Sequence, residues 1–114
     1  MVGDILSIVR SFENSESSRI NPDDRPLFHV SPLLGWMNDP NGFSTYKGEY
    51  HLFYQYYPYE TIWGPMHWGH VKSKDLIHWE YLPCALAPDS DCDREGCWSG
   101  GAIEFPDGRH MLLY

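Results

Sequence analysis

The sequence predicts an all-β fold preceded by one short helix, and three observations support this prediction. From residue 42 onward, short segments rich in aromatic and β-branched residues alternate with clusters of turn residues. Four such segments follow one another and a further pair begins, which is the local pattern of one β-propeller blade and the start of a second. Aromatic residues are also dense, with five Trp, eight Tyr and five Phe, and they serve either a thick core or a surface that stacks on sugar rings.

The N-terminal part of the chain differs from the rest. Apolar side chains recur there at helical spacing, which predicts an amphipathic helix over residues 1–12. Residues 13–18 are polar and predict a linker, and residues 21–26 predict a turn-rich approach to the main body. We therefore predict a helix with a polar linker over residues 1–28 and a β-domain over residues 29–114. The apolar face of the helix consists of Val2, Ile5, Leu6, Val9 and Phe12.

Six strands are predicted from the alternation of side chains and from the turns that separate them. Lys47 and Gly48 form a tight turn between the first two strands, and Lys74 and Asp75 join the third strand to the fourth. Within the second strand, the odd-numbered side chains from His51 onward share one face and the even-numbered ones share the other. The predicted strands cover residues 42–46, 49–57, 67–73, 77–82, 100–105 and 110–114.

These strands are too few to close a propeller, which requires at least about four blades of about 40 to 50 residues each. The last predicted strand, ending at Tyr114, is apolar and would need a partner on its open edge. We therefore expect the chain to be the N-terminal part of a larger domain that supplies the remaining blades.

Composition and charge argue against several classes of partner. The chain carries 8 Lys and Arg against 16 Asp and Glu, a formal net charge of −8, whereas a nucleic-acid binder needs a basic face. No apolar run approaches the roughly 20 residues of a membrane span. The N-terminal segment lacks a basic n-region and contains Asp4, so it is a poor signal peptide. The odd cysteine count, with Cys84, Cys92 and Cys97, favours reduced thiols and a cytoplasmic location, and leaves open a disulfide or metal site between the last two.

The strongest candidate for chemistry is a carboxylate within residues 35–42. Asp39 precedes Pro40, and the residue before a proline is kept out of the helical conformation. Asn41 and Gly42 then favour a tight turn, so the carboxylate is held on a constrained bend where a strand begins. The alternative is that these residues serve only to form the turn.

Five motifs that include this segment follow one another along the chain. They are WMNDPNG at residues 36–42, HLFYQY at 51–56, WGPMHWGH at 63–70, SKDLIHW at 73–79 and CWSG at 97–100. Their order and spacing closely resemble glycoside hydrolase family 32, which comprises invertases, sucrose-6-phosphate hydrolases and fructanases. The resemblance covers residues 28–114.

The resemblance implies a five-bladed propeller with the active site in its central funnel, followed by a β-sandwich, and a retaining mechanism on β-fructofuranosyl bonds. Asp39 matches the family's nucleophile, and the implied substrate is sucrose, sucrose 6-phosphate or a related fructoside, with no metal and no cofactor. The family usually has Phe where this chain has Trp98, and we expect the larger indole to reshape the rim of the pocket. The expected substrate-binding residues are Trp36, Met37, Asn38, Gln55, Trp63, Trp98 and Ser99.

Two parts of the family's catalytic apparatus do not occur in this sequence. Retaining glycosidases need a second carboxyl group as acid/base, about 5 to 5.5 Å from the nucleophile, and the family's Glu-Cys and Arg-Asp-Pro segments are both absent from residues 1–114. Glu95 is not this acid/base because it comes just before Trp98 and Ser99, and we interpret Asp89 to Glu95 as a solvated acidic loop. We therefore expect the 114-residue chain alone to show no turnover.

Other interpretations of these residues are weaker. His67 and His70 point to opposite faces of a strand, so we do not expect them to share a metal ion. A non-catalytic carbohydrate-binding propeller would carry the same aromatic residues but would lack the missing carboxyl groups in its full-length sequence. A family 43 arabinanase would also be a five-bladed hydrolase, but members of that family lack the complete run of residues 36–42.

Overall fold

The computed structural model describes residues 4–114, which are mostly β-sheet with one helix, as predicted. Val2, which belongs to the predicted helix, lies outside this range. Helix α1 covers Ile5–Glu16, and two short 3₁₀ turns follow at Ser17–Arg19 and Pro22–Asp24. The strands are β1 (Trp36–Tyr46), β2 (Glu49–Tyr57), β3 (His67–Ser73), β4 (Glu80–Leu86), β5 (Gly101–Glu104) and β6 (His110–Leu113). Strands β1 to β4 form one antiparallel sheet in chain order, and β5 and β6 form a separate hairpin.

Helix α1 begins at an N-cap aspartate and extends further than the sequence predicts. The Asp4 carboxylate accepts hydrogen bonds from the Leu6 backbone N–H at 3.1 Å and from the Ser7 hydroxyl at 2.9 Å, which satisfies a free donor of the first turn. The helix continues to Glu16, so the predicted linker over residues 13–18 is wrong in its first part. Within the described range, no helix is long and apolar enough to cross a membrane.

A contact with the edge of the sheet explains the longer helix. The Arg10 side chain donates from Nε to the Cys84 carbonyl oxygen at 3.0 Å, and the Cys84 backbone N–H donates to the Glu13 carboxylate at 3.0 Å. Side chains of α1 therefore pair both backbone groups of a residue on the outer strand β4, and they cover that strand edge. Burial raises the pKa of the Glu13 carboxyl group, which is consistent with its enclosed position between helix and sheet.

Strand β4 lies later in the sequence than predicted, at Glu80–Leu86 rather than at residues 77–82. The residues before it form a loop organised by Asp75, whose Oδ1 accepts hydrogen bonds from the backbone N–H groups of Ile77 at 2.9 Å and His78 at 2.8 Å. The intervening Leu76 has a φ of 66°, a left-handed conformation that does not continue a strand. Local side-chain bonding to the backbone therefore overrides the apolar pattern in this loop.

The two faces of the first sheet pack against different parts of the chain. Tyr54 and Tyr56 of β2 are buried on one face, in a core shared with α1. Phe53 is buried on the other face, where Ala102 and Leu112 of the β5–β6 hairpin pack against it. The predicted alternation of odd- and even-numbered side chains along β2 is therefore confirmed.

Hydrogen bonds join the β5–β6 hairpin to β1. The Gly42 backbone N–H donates to the Gly100 carbonyl oxygen at 3.0 Å. The Ser44 hydroxyl and His110 Nε2 share a hydrogen bond at 2.9 Å. The segment that enters the hairpin is therefore held beside the part of β1 that carries Asp39.

Three histidines form a cluster between the first sheet and the hairpin. His51 Nδ1 and His70 Nε2 share a hydrogen bond at 2.9 Å, and the ring centroids of His51 and His110 lie 5.3 Å apart. The Phe53 ring stacks on His70 with a centroid separation of 4.1 Å. Burial lowers the pKa of all three histidines, and burial together with the charges of the other two histidines lowers the pKa of His70 to about 3.

This cluster predicts that the protein loses stability in acid. His70 in the folded protein has a pKa of about 3, whereas a histidine in the unfolded chain has a pKa of about 6.5. The unfolded state therefore holds more protons between these two values, and stability that is complete above about pH 6.5 is lost as the pH falls toward 3. The positive charge of Lys72 also lowers the pKa of His70. In the opposite direction, Glu49 raises the pKa of His51 and Glu104 raises the pKa of His110.

The substitution His70→Gln should weaken this pH dependence. It should reduce the number of protons taken up on unfolding by up to about one, because a glutamine does not titrate. Unfolding free energies measured by denaturant titration between about pH 4 and pH 7 give that number as a slope. The exposed His29, replaced in the same way, is the matched control; an equal loss of slope in both variants would contradict the prediction.

Candidate functional site

One cavity brings together most of the residues that the sequence analysis selects. It has a volume of about 370 Å³ and lies where β1, β2, the β2–β3 loop and the segment before β5 meet. Its lining residues are Asn38, Asp39, Gln55, Trp63, Met66, Glu95, Gly96, Cys97, Trp98 and Ser99.

A β-bulge in β1 directs two consecutive side chains to this cavity. The register between β1 and β2 shifts between Met37 and Pro40, so that Asn38 and Asp39 together lie opposite Gln55. Two residues opposite one is the pattern of a bulge, which changes the direction of side chains within a strand. The expected bend at Asp39 is therefore an irregularity inside β1, which begins earlier than the predicted strand.

The Asp39 carboxylate is the end of a short chain of hydrogen bonds. The Ser99 hydroxyl donates to Asp39 Oδ2 at 3.1 Å, and Gln55 Nε2 donates to the Ser99 oxygen at 3.3 Å. Gln55 is only 5% exposed, and its Oε1 has no hydrogen-bond partner among residues 4–114. The cavity therefore presents an oriented carboxylate next to an amide oxygen that is free to accept a hydrogen bond from a ligand.

Buried groups hold the segment that carries Ser99 in place. The Cys97 backbone N–H donates to the Met66 carbonyl oxygen at 2.8 Å, and the Trp68 indole N–H donates to the Trp98 carbonyl oxygen at 2.9 Å. Trp68 is completely buried, so this support is part of the core. The result is a fixed backbone beneath an outward-facing indole, because the Trp98 side chain is 73% exposed.

The three cysteines are free thiols in the structure. Cys84, Cys92 and Cys97 form no disulfide, and no group of three or more metal-binding side chains occurs within residues 4–114. Burial raises the pKa of the Cys97 thiol to about 12. Although Cys97 lines the cavity, it therefore stays protonated at neutral pH and is not a nucleophile there.

Two of the expected substrate-binding residues do not line the cavity. Trp36 lies beside it and donates from Nε1 to Asn38 Oδ1 at 3.0 Å, so it orients a lining residue. Met37 packs against the core cluster on the α1 side of the sheet. The reason is the alternation of side chains along β1, which directs Met37 away from its neighbours Trp36 and Asn38.

Glu95 also lines the cavity, although the sequence predicts no binding role for it. We predicted that it belongs to a solvated acidic loop, and its side chain is indeed exposed, but it also lines the cavity with Asp39. Gly96, with a φ of 136°, makes the turn between Glu95 and the Cys97 backbone, a conformation for which glycine is suited. The one sequence signal for this placement is the closeness of Glu95 to the CWSG motif at residues 97–100.

The assembled groups suit a polyhydroxylated ring. Amide and hydroxyl side chains such as Asn38, Gln55 and Ser99 offer donors and acceptors for sugar hydroxyl groups. The exposed indoles of Trp63 and Trp98 offer flat apolar surfaces for the face of a sugar ring. Asp39 is the carboxylate placed among these groups, where it faces any ring bound in the cavity.

Comparison with known proteins gives a consistent result. Residues 29–114 match the family model described as the N-terminal domain of glycosyl hydrolases family 32. Over 89 residues, or 78% of the chain, the sequence is 68% identical to sucrose-6-phosphate hydrolase of Zymomonas mobilis subsp. mobilis, and it spans 17% of that protein. Over 99 residues, or 87% of the chain, it is 52% identical to levanase of Bacillus subtilis, and it spans 14% of that protein.

Solved structures show the same fold. The Bombyx mori GH32 β-fructofuranosidase BmSUC1 superposes with a TM-score of 0.84 at 50% sequence identity, and the match covers 100% of this chain and 24% of that one. A variant of the same Bombyx enzyme, solved in complex with sucrose, superposes equally well with a TM-score of 0.84. Sucrose-6-phosphate hydrolase from Lactobacillus gasseri superposes with a TM-score of 0.75 at 42% identity, over 96% of this chain and 21% of that one.

Proposed function

The chain belongs to glycosyl hydrolase family 32, and from this premise we propose that the full-length protein cleaves terminal β-D-fructofuranosyl bonds of sucrose or sucrose 6-phosphate. The observation that carries the proposal is the cavity in which Asp39 accepts a hydrogen bond from Ser99 and lies beside Asn38, Gln55 and two exposed indoles. Relatives are named for hydrolysis of sucrose 6-phosphate and for levan, and one neighbouring structure contains sucrose.

The proposed mechanism is retaining, with Asp39 as the nucleophile. The Asp39 carboxylate attacks the anomeric carbon of the fructosyl unit, and the bond from that carbon to the oxygen of the leaving sugar breaks. A protonated carboxyl group gives its proton to the leaving oxygen, and the same group then removes a proton from the water that releases fructose. The hydrogen bond from Ser99 at 3.1 Å helps to orient the attacking carboxylate.

We propose that the acid/base carboxyl group comes from a later blade of a five-bladed propeller. In such a propeller, the first sheet would be blade one and the β5–β6 hairpin would begin blade two. The cavity would then form part of the wall of the central funnel. Asp39, which is exposed in this chain, would face the inside of that funnel. A cytoplasmic location goes with this proposal, and the free thiols support it.

The test is an assay of sucrose hydrolysis by the full-length protein. Release of glucose and fructose would support the proposed activity, and proton NMR of the first product molecules would report the configuration at the anomeric carbon. We expect β-fructofuranose first, because two successive displacements retain the configuration. Binding of sucrose with no release of fructose would instead favour a carbohydrate-binding protein, and first release of the α-anomer would contradict the retaining mechanism.

A further inference from the structure

Glu95 lines the cavity that contains Asp39, yet the proposed mechanism gives it no role. Its carboxylate makes no hydrogen bond and no ion pair with any residue in the described range. Other carboxylates of the same loop are engaged, since Asp91 pairs with Arg94 at 2.6 Å and Asp93 accepts a hydrogen bond from Tyr114 at 2.8 Å. Glu95 therefore keeps its hydrogen-bonding capacity for a molecule in the cavity.

The exposure of the lining residues places Glu95 at the outer part of the cavity. Gln55, at 5% exposed, and Met66, at 4% exposed, are the deep residues, whereas the Trp98 side chain is 73% exposed. Glu95 is exposed as well and stands on the same segment as Trp98. A fructosyl ring that contacts Asp39 and Gln55 would therefore direct its leaving group outward, toward Trp98 and Glu95.

The backbone around Glu95 is anchored, so the position of the carboxylate is defined. The Gly96 N–H donates to the Asp93 carbonyl oxygen at 2.7 Å, and the Cys97 N–H donates to the Met66 carbonyl oxygen at 2.8 Å. These bonds tie both sides of the turn that carries Glu95 to the loop and to the core. A carboxylate on such a support recognises a ligand with little further loss of backbone freedom.

We propose that Glu95 is a specificity-determining residue that selects an uncharged, hydroxyl-rich leaving group over a phosphorylated one. Its carboxylate accepts hydrogen bonds from neighbouring hydroxyl groups of the leaving sugar, as ionised acceptors do well. The same negative charge repels a phosphate group on that sugar. No lysine or arginine of the described range lines the cavity to offset this repulsion.

This inference rests on the proposed function, and it narrows the substrate class from sucrose or sucrose 6-phosphate to sucrose. Glu95 contacts the leaving group and takes no part in bond breaking, so its replacement should alter the choice between substrates.

The experiment compares three substrates in the full-length protein. These are sucrose, sucrose 6-phosphate and an aryl β-D-fructofuranoside, whose leaving group has neither sugar hydroxyls nor a phosphate. For Glu95→Gln, we expect the ratio of kcat/KM for sucrose to that for sucrose 6-phosphate to fall by about fivefold, because a neutral acceptor replaces a charged one and the repulsion of the phosphate is removed. The aryl fructoside, which offers Glu95 neither a sugar hydroxyl nor a phosphate, is the reference substrate, and the circular dichroism spectrum shows whether the variant is folded.

The matched control is Asp91→Asn, which removes the same charge from the same loop at a side chain that does not line the cavity. We expect this variant to leave the substrate ratio unchanged. A ratio in Glu95→Gln within twofold of wild type, or an equal shift in Asp91→Asn, would overturn the assignment of Glu95 while leaving the proposed function intact. If the wild-type protein cleaves none of the three fructosides, the proposed function fails, and this inference fails with it.

Discussion

Replacement of Asp39 by Asn in the full-length protein should abolish cleavage of sucrose while leaving the fold intact. The amide has the size and shape of the carboxylate, but it is a very poor nucleophile, so no covalent fructosyl-enzyme should form. We expect kcat to fall by more than about a thousandfold, which corresponds to about 4 kcal/mol of activation free energy. The measurement is steady-state release of glucose from sucrose at saturating substrate.

The structure explains why this variant should fold. The Asp39 side chain is exposed. Within residues 4–114, its carboxylate accepts one side-chain hydrogen bond, from the Ser99 hydroxyl at 3.1 Å. The amide oxygen of asparagine can accept the same bond, so the melting temperature and the circular dichroism spectrum should stay close to those of the wild type.

A charge-matched control separates the nucleophile from a general effect of charge. Asp107 lies in the β5–β6 turn, pairs with Arg109 at 2.8 Å and does not line the cavity. Asp107→Asn should therefore keep wild-type turnover. If Asp39→Asn keeps a kcat within tenfold of wild type, Asp39 is not the nucleophile.

The fold and most of the cavity follow from local signals in the sequence. Alternating side chains in β2 separate Tyr54 from Phe53, and these residues are buried on opposite faces of the sheet. Pro40 restricts the backbone of Asp39, which precedes it, and Gly42 readily adopts the positive φ of 53° that the strand has at this position. The sequence thus marks the right segment for the carboxylate, although the bend is a bulge inside β1.

What the sequence does not predict depends on contacts between distant segments. Helix α1 extends because Glu13 and Arg10 pair with Cys84, which is more than 70 positions away in the chain. Similarly, only its closeness to the CWSG motif at residues 97–100 distinguishes Glu95 in the sequence from the other acidic residues of its loop. Its place on the cavity follows from the turn at Gly96 and from the bond between Cys97 and Met66.

The alternation rule also explains why the motif around Asp39 does not form the cavity as a unit. A sequence motif lists consecutive residues as if all of them belonged to one site. In a strand, however, neighbouring side chains point to opposite faces. Met37 therefore packs toward α1 while Asn38 faces the cavity. Asp39 faces the cavity with Asn38 only because the bulge breaks this alternation.

Trp63 is the aromatic residue of the cavity for which we expect the next largest effect on activity. It lies in the loop between β2 and β3, its side chain is 63% exposed, and it lines the cavity together with Asp39. An indole in this position can cover the apolar face of a fructosyl ring and exclude water from it. Because a loop supports this indole outside the core, its role should be ligand contact rather than packing.

Trp68, in contrast to Trp63, is a tryptophan of the hydrophobic core. Its side chain is completely buried, and its indole N–H donates to the Trp98 carbonyl oxygen at 2.9 Å. Removal of such a core tryptophan typically costs about 3 to 5 kcal/mol of unfolding free energy. Trp63 has no comparable burial, so its removal should cost much less stability.

In the full-length protein, Trp63→Ala should therefore lower kcat/KM for sucrose by at least about tenfold, or about 1.4 kcal/mol, with only a small fall in melting temperature. Ile62→Ala is the matched control, because Ile62 is the neighbouring residue, is 55% exposed and does not line the cavity. That variant should keep wild-type kcat/KM, since it shortens an apolar side chain of the same loop without touching the ligand. A Trp63→Ala protein that melts far earlier than wild type, yet has normal kcat/KM where it is folded, would assign Trp63 to the core instead.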